Sequence, residues 1–415
     1  MKEDKRPRPD NGGERPNRPN RPQRNRERRQ ENATERVAHY DSDPDEEPAA
    51  EPLPMGERPK VGITHGDFNG IGYEVILRML EDNRLLELCT PVIYGSAKIA
   101  QYYRKELDIP CQPFVQIQDA DQARTDQYNI VNVIGQEAHI VPGEDSREAG
   151  QAAFAALERA VADLKEGKID LLLTAPINKH NIQSEEFDFP GHTEYLEAAA
   201  GDDAKALMIL CNERLRVALV STHLPVSQIA EAVTKDNILA KLRLFNESLI
   251  KDFSVVKPRI AVLALNPHAG DNGLLGTEEK EVIVPAIEEA RAERILAFGP
   301  YAADGFFGNG LYDKFDGVLA MYHDQGLAPF KTIAMESGVN FTAGLPFVRT
   351  SPDHGTGYDI AGKGEASAYS MRAALYMAID VLRNRRRYAE MTANPLRKQY
   401  HEKGRDNVVL DLSKD

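Results

Sequence analysis

From Arg58 onward the chain alternates short apolar runs with stretches of helical period, the pattern of βαβ units wound into a mainly parallel sheet. Lys60 to Thr64 predicts a first strand, followed by a glycine-rich turn and a helix from about Gly72 to Leu80. Pro91 to Tyr94, Asp170 to Leu173, Val217 to Ser221, Ile260 to Leu265 and Gly317 to Met321 predict further buried strands. Ala149 to Lys165 and Val226 to Ile250 carry the clearest helical spacing, the second with a turn inside it. The expected fold is α/β, without a solenoid-type repeat.

Residues 1–55 are of a different kind. A basic stretch with the near-repeat Arg15-Pro16-Asn17-Arg18-Pro19-Asn20-Arg21-Pro22 gives way to the acidic run Asp41 to Glu51. Such sequence buries too little apolar surface to offset its ordering entropy, so a disordered tail is expected. Its arginines suit RNA or an acidic partner, but the acidic run largely cancels them and no aromatic residues are interleaved for stacking. A solvated extension is the reading adopted.

A chain of 415 residues exceeds what one compact core normally organises, so two packed lobes plus this tail are expected. The net charge of −14 argues against a nucleic-acid surface as the main business of the protein and makes any anion site a local basic one. Cys89, Cys111 and Cys211 are far apart and form no CxxC pair, which suggests neither a disulfide framework nor a thiolate zinc site. No run approaches the roughly 18 consecutive apolar residues of a membrane span, and the N-terminus lacks the apolar core of a signal peptide. A soluble cytoplasmic protein with no membrane association is expected.

Three of the predicted strands end in the same way. Val217 to Thr222 runs into His223, Ile260 to Leu265 into Asn266-Pro267-His268, and Gly317 to Tyr322 into His323. In open α/β sheets ligands collect beyond the carboxyl ends of the strands, so side chains placed there converge even when distant in sequence. Three imidazoles with an open coordination position suit a catalytic divalent metal, zinc or cobalt above all. Any one of these histidines alone reads better as a capping or hydrogen-bonding loop residue; their matching placement, with Pro225 and Pro267 stiffening two of the turns, is what makes the metal reading preferable.

Three further segments carry polar chemistry. Gly66-Asp67-Phe68-Asn69-Gly70-Ile71-Gly72-Tyr73-Glu74 follows the first strand; its glycines permit a tight turn and a close backbone approach to a ligand, although it is not GxGxxG. Pro190-Gly191-His192-Thr193-Glu194 places Thr193 as a candidate N-cap, so the helix after it would offer backbone donors to a phosphate or carboxylate near His192. Downstream of His323, Lys331, Asn340 and Arg349 sit among apolar and glycine residues rather than on charged helix faces, as residues recruited to hold an anion do.

At these residues the chain closely resembles the 4-hydroxythreonine-4-phosphate dehydrogenase family. The signature pieces are Gly191-His192-Thr193-Glu194, Thr222-His223-Leu224-Pro225, Leu265-Asn266-Pro267-His268-Ala269-Gly270, Met321-Tyr322-His323-Asp324-Gln325-Gly326, and Arg349-Thr350-Ser351 followed by Asp353-His354-Gly355-Thr356. The resemblance implies metal ligation by His223, His268 and His323, and substrate binding by His192, Thr193, Lys331, Asn340 and Arg349. It implies one divalent ion (zinc, cobalt or magnesium) per site, built between two subunits of a homodimer, and NAD or NADP as hydride acceptor.

The implied fold has two α/β lobes around a cleft, like isocitrate and isopropylmalate dehydrogenases, with 56–150 and 325–415 in one lobe and 151–324 in the other. The Gly66 to Glu74 turn resembles the first-strand turn of that group, which makes Gly66, Asp67, Gly70 and Gly72 the expected cofactor contacts. Asp324, Asp304 and Lys179 are the candidates for the base that removes the hydroxyl proton, with Asp324 alternatively orienting His323.

The implied reaction is oxidation of the C3 hydroxyl of 4-phosphooxy-threonine, followed by decarboxylation. Two rivals stand beside it: a sister dehydrogenase for 4-phospho-threonate or 4-phospho-erythronate, and a metal-dependent hydrolase. The chain departs from the common family form where Phe68 and Asn69 replace proline and alanine, at Glu185 to Phe189, and around Gly357-Tyr358-Asp359. The first of these points to a changed cofactor preference.

Overall fold

Lys60–Thr64 forms strand β1, and four of its five residues are buried, as a strand covered on both faces requires. The computed structural model describes residues 58–135, 138–202 and 204–395; the tail expected to be disordered lies outside the described residues. The other strands are β2 (Thr90–Gly95), β3 (Val115–Ile117), β4 (Asn129–Asn132), β5 (Leu171–Thr174), β6 (Leu207–Cys211) and β7 (Arg216–Leu219). They are followed by β8 (Arg259–Leu263), β9 (Leu296–Tyr301), β10 (Gly317–Ala320), β11 (Val339–Ala343) and β12 (Val348–Pro352).

All twelve join one sheet in the order β3-β4-β2-β1-β5-β12-β11-β6-β7-β10-β8-β9. The pairs β12–β11, β11–β6 and β6–β7 are antiparallel, and the remaining neighbours are parallel. β7, β10 and β8 are therefore adjacent and parallel, which brings the segments after them to one end of the sheet.

Helices cover the faces. Arg147–Lys165 starts where the Ser146 hydroxyl accepts from the Ala149 amide at 3.2 Å, and its small residues Ala149, Ala152, Ala153, Ala156 and Ala160 are buried, so the helix lies close on the sheet. The long helix expected over 226–250 is interrupted after Ile229–Ala232 and restarts as Lys235–Lys251. Thr234 caps the restart, accepting from the Asn237 amide at 3.2 Å.

The register of β11 and β12 positions the site. Asn340 faces Ser351, and Phe341 faces Thr350; on the other side Arg349 faces Leu172 of β5, and Thr342 faces Met208 of β6. Side chains alternate between the faces of a sheet, so Thr174, Arg349, Ser351, Asn340, Thr342 and Met208 share one face. Phe341 and Thr350 point the opposite way. There the Thr350 hydroxyl donates to the Ala374 carbonyl at 2.9 Å, in the helix Tyr369–Ala393 that packs on β11 and β12.

Candidate active site

Arg349 is the largest side chain held almost wholly inside the protein, 2% exposed. Its Nε and Nη2 donate to the Thr174 hydroxyl at 3.1 and 2.7 Å, and its Nη1 donates to Thr342 Oγ1 at 3.1 Å. A guanidinium has five N–H groups, so two remain. Among the described residues no carboxylate pairs with it. Burial pulls its pKa down to about 9, and Glu194 opposes that shift. A buried cation supported only by hydroxyls is costly unless an anion completes it.

The cavity beside it, about 220 Å³, is lined by all five residues expected to bind substrate: His192, Thr193, Lys331, Asn340 and Arg349. Lys179, on the segment leaving β5, and His223, after β7, line it as well. His192 Nε2, Asn340 Oδ1 and His354 Nε2 are buried there with no hydrogen-bond partner, the condition of groups awaiting a polar ligand. Burial, then Arg349 and Lys179, hold the His192 imidazole well below its ordinary pKa; it is neutral in a strongly cationic pocket.

Thr193 does not cap its helix. The helix His192–Ala200 begins one residue before Thr193, with Gly191 at the cap position and no side-chain cap bond. Gly191 is in extended backbone, which lets the helix start directly behind it. The His192 and Thr193 amides are consequently unclaimed by a capping side chain and stand at the cavity wall, where they can serve an anion.

Two of the three strand-end histidines come together. The His223 and His323 rings are 6.0 Å apart between centroids, a separation one shared ion can bridge. Asp324 Oδ1 is 2.7 Å from His323 Nδ1, which orients that ring and leaves Nε2 for a ligand. His268 lies elsewhere: with Asn266, Asp304, Tyr322 and Gln325 it lines a neighbouring cavity of about 510 Å³. Among the described residues no three histidine, cysteine or carboxylate side chains of the chain close around a cation position. His268 is exposed, and so are the residues Asp271 to Leu275 that follow it.

The turn expected to meet the cofactor is buried. Gly66, Asp67, Gly70 and Gly72 are all enclosed, and the close approaches they permit are to the protein itself: a Cβ would come within 2.1 Å of the Pro176 carbonyl at Gly66 and of the His65 carbonyl at Gly72. Asp67 accepts from Tyr358 Oη at 2.8 Å and Asn181 Nδ2 at 2.7 Å. The family departures are absorbed in this packing. Phe68 is fully buried, and Asn69 ties down the 141–146 loop through Val141 N, Glu144 O and Ser146 Oγ.

Three residues went unassigned in the sequence. Glu194 stands 3.8 Å from His223 Nδ1, and its contact with His223 lowers its pKa. Asp353 lies 3.5 Å from Lys331 Nζ; burial raises its pKa and Lys331 opposes this. The His354 imidazole is lowered by burial. Each belongs to a signature run already quoted, which is the signal that could have found it.

The model of the family described as pyridoxal phosphate biosynthetic protein PdxA matches residues 87–378. A 4-hydroxythreonine-4-phosphate dehydrogenase of Bacteroides thetaiotaomicron is 57% identical over 353 residues, 85% of this chain and 97% of that protein. A putative D-threonate 4-phosphate dehydrogenase of Oceanobacillus iheyensis is 38% identical, covering 79% of this chain and 99% of its own length. The crystal structure of a 4-hydroxythreonine-4-phosphate dehydrogenase from Klebsiella pneumoniae superposes with a TM-score of 0.67 at 33% identity, over 78% of this chain and 98% of that one.

Proposed function

The chain belongs to the pyridoxal phosphate biosynthetic protein PdxA family, and we propose from that premise that it oxidises 4-phosphooxy-L-threonine. The C3 hydride passes to NAD or NADP and the hydroxyl proton to a base. The 2-amino-3-oxo-4-phosphooxybutanoate formed loses carbon dioxide, its ketone accepting the electron pair, to give 3-amino-2-oxopropyl phosphate on the route to pyridoxal 5′-phosphate. The observation that carries the reading is Arg349, a buried guanidinium with N–H groups to spare beside a cavity of unpartnered polar atoms. A phosphorylated amino acid supplies the missing anion.

In this mechanism Arg349, Lys331, His192, Thr193 and Asn340 hold the substrate, with the first amides of the helix His192–Ala200 as added donors. Of the three candidate bases, Lys179 is the one that lines the same cavity and is the candidate kept for contact with the substrate hydroxyl. Asp324 is engaged with His323, and Asp304 lines the same cavity as His268. Of Gly66, Asp67, Gly70 and Gly72, Asp67 serves the cofactor indirectly in this reading, by holding Tyr358, whose hydroxyl also accepts from Asn178 next to Lys179.

The donor set fits a divalent metal once a second copy of the chain is included. His223 and His323 supply two imidazoles, and the partner subunit's His268 the third, a set suited to zinc or cobalt and less to magnesium. When bound, such an ion supplies Lewis-acid polarisation of the hydroxyl being oxidised. Exposed apolar residues flank both contributors, Leu224 and Val226 beside His223 and Leu274 and Leu275 beyond His268, as an interface between copies at this site requires. The division into two lobes, 56–150 with 325–415 and 151–324, and a cytoplasmic location belong to the same proposal; no described helix is long and apolar enough to cross a membrane.

The test is a turnover panel of 4-phosphooxy-L-threonine, 4-phospho-D-threonate and 4-phospho-D-erythronate, each with NAD and with NADP, on metal-stripped and metal-reloaded protein. Turnover confined to the amino acid and restored by metal is expected. Strong turnover of a phosphorylated sugar acid with none of the amino acid overturns the substrate; consumption without reduced cofactor points to a hydrolase instead.

A further inference from the structure

Five consecutive residues, His268 to Asn272, hold left-handed backbone, with φ between 42° and 76°. Gly270 accepts that region freely and Asp271 and Asn272 tolerate it singly, but Ala269 resists it and a run of four non-glycine residues there is costly. A segment of this kind persists only where its surroundings over-determine it. The right-handed alternative would carry the His268 imidazole along a different path.

One side chain grips both the entry and the middle of this turn. Glu279 is buried, 5% exposed, on the short π-helical stretch Glu279–Ile283, a local irregularity common at functional sites. Its Oε1 accepts from the Leu265 and Asn266 amides at 2.9 and 2.7 Å, and its Oε2 from Asn266 Nδ2 at 3.1 Å. The same Oε2 lies directly under the left-handed turn, where a Cβ on Gly270 would come within 2.5 Å of it. Among the described residues the carboxylate has no cationic partner, so its burial is compensated by these donors from the His268 loop.

From this arrangement we infer that Glu279 is a positioning residue: it holds the loop of β8 in the left-handed form that presents His268 to the metal site. A group of this kind acts on metal affinity through the geometry of a ligand it does not itself supply. The inference rests on the reading of His268 as a metal ligand, and the experiment separates the two.

The measurement is cobalt(II) binding to the full-length, metal-stripped protein, followed by its visible absorption, for wild type and for the H268A, E279A, E279Q and A269G/E279A variants. E279A is expected to weaken cobalt binding about tenfold or more, within the range found for partners of metal-bound histidines. E279Q keeps one acceptor oxygen for the two amides but sets a donor against Asn266 Nδ2, so a loss of about threefold is expected. Glycine at left-handed position 269 relieves the strain that Glu279 restrains, so A269G/E279A should recover most of the E279A loss; a residue needed only for folding would show no such rescue. Cobalt affinity of E279A within about twofold of wild type while H268A loses it, or no recovery by A269G, overturns the inference and leaves the metal reading standing. If H268A itself binds cobalt as wild type does, the metal reading fails. Should E279A not fold, E279Q and A269G/E279Q carry the same comparison, and wild-type affinity in E279Q overturns the inference.

Discussion

Arg349 and Thr174 meet across the β12–β5 pair, one threonine hydroxyl accepting from both Nε and Nη2 of the guanidinium at 3.1 and 2.7 Å. Two bonds to one oxygen fix the plane of the fork, so the unused N–H groups have a fixed direction before any ligand arrives. Arg349→Ala should therefore raise KM for the phosphorylated substrate far more than it lowers kcat, each lost charge-assisted bond being worth about 1.5–3 kcal/mol. Arg349→Lys should not restore it, because a point charge cannot reproduce the fork. Steady-state kinetics decide; an unchanged KM in R349A removes Arg349 from anion binding.

Sharing of the metal site between subunits can be read from mixed dimers. H223A and H268A should each be inactive alone. In a heterodimer of the two, one site receives intact His223 and His323 from one chain and the partner's His268 from the other, while the second site loses both. Random reassortment makes half of the dimers mixed, so about a quarter of wild-type activity should return on mixing. Mixtures that stay inactive after demonstrated subunit exchange would exclude this sharing.

His65 makes stability depend on acidity. It stacks on Tyr73 with ring centroids 5.1 Å apart, and burial lowers its pKa from 6.5 to about 4. Between those values the unfolded chain binds the proton and the folded one does not, so stability is lost as pH falls from 6.5 towards 4. This one group contributes up to about 3 kcal/mol of that loss. His192 and His354, also lowered by burial, act in the same direction. Urea unfolding across this range should show a shallower slope for His65→Phe than for wild type; parallel slopes would contradict the assignment.

Tyr358 ties the turn after β1 to the segment after β5, donating to Asp67 Oδ2 at 2.8 Å and accepting from Asn178 Nδ2 at 2.9 Å. Tyr358→Phe keeps the ring and removes these bonds together with the one accepted from Asn181 Nδ2 at 3.3 Å, leaving a buried carboxylate short of a donor. A loss of about 1–3 kcal/mol in unfolding free energy is expected. Because Asn178 adjoins Lys179, a fall in kcat is expected beside it. Denaturation curves that superpose with wild type would show the hydroxyl to be dispensable.

Six strands were legible because strands buried on both faces are written as apolar runs: β1, β2, β5, β7, β8 and β10 lie within a residue or two of the predicted segments, whereas β3, β4, β6 and β9 were not read. β11 and β12 were not read as strands, although Val339-Asn340-Phe341-Thr342-Ala343 alternates in the period of a strand. Its polar face is turned inward around Arg349 rather than outward to water, and a buried polar face imitates a loop. The site residues were named through the resemblance, and the structure brings the five expected to bind substrate into one cavity. The left-handed loop of His268 could not be read, because four of its five residues are not glycine. Thr193 misled as a cap because a hydroxyl residue beside a helix start is the commoner signal than a bare glycine.

The hairpin of β11 and β12 carries polar and apolar duties on alternate residues. Sliding one strand past the other by a single position would exchange them: Arg349 would be driven against the helix Tyr369–Ala393, and Thr350 would be presented to the cavity in its place. Misalignment at this hairpin thus disables ligand capture and unseats the C-terminal helix in one event. Selection for a properly packed chain is, at these few positions, also selection for a chain that can hold its phosphate.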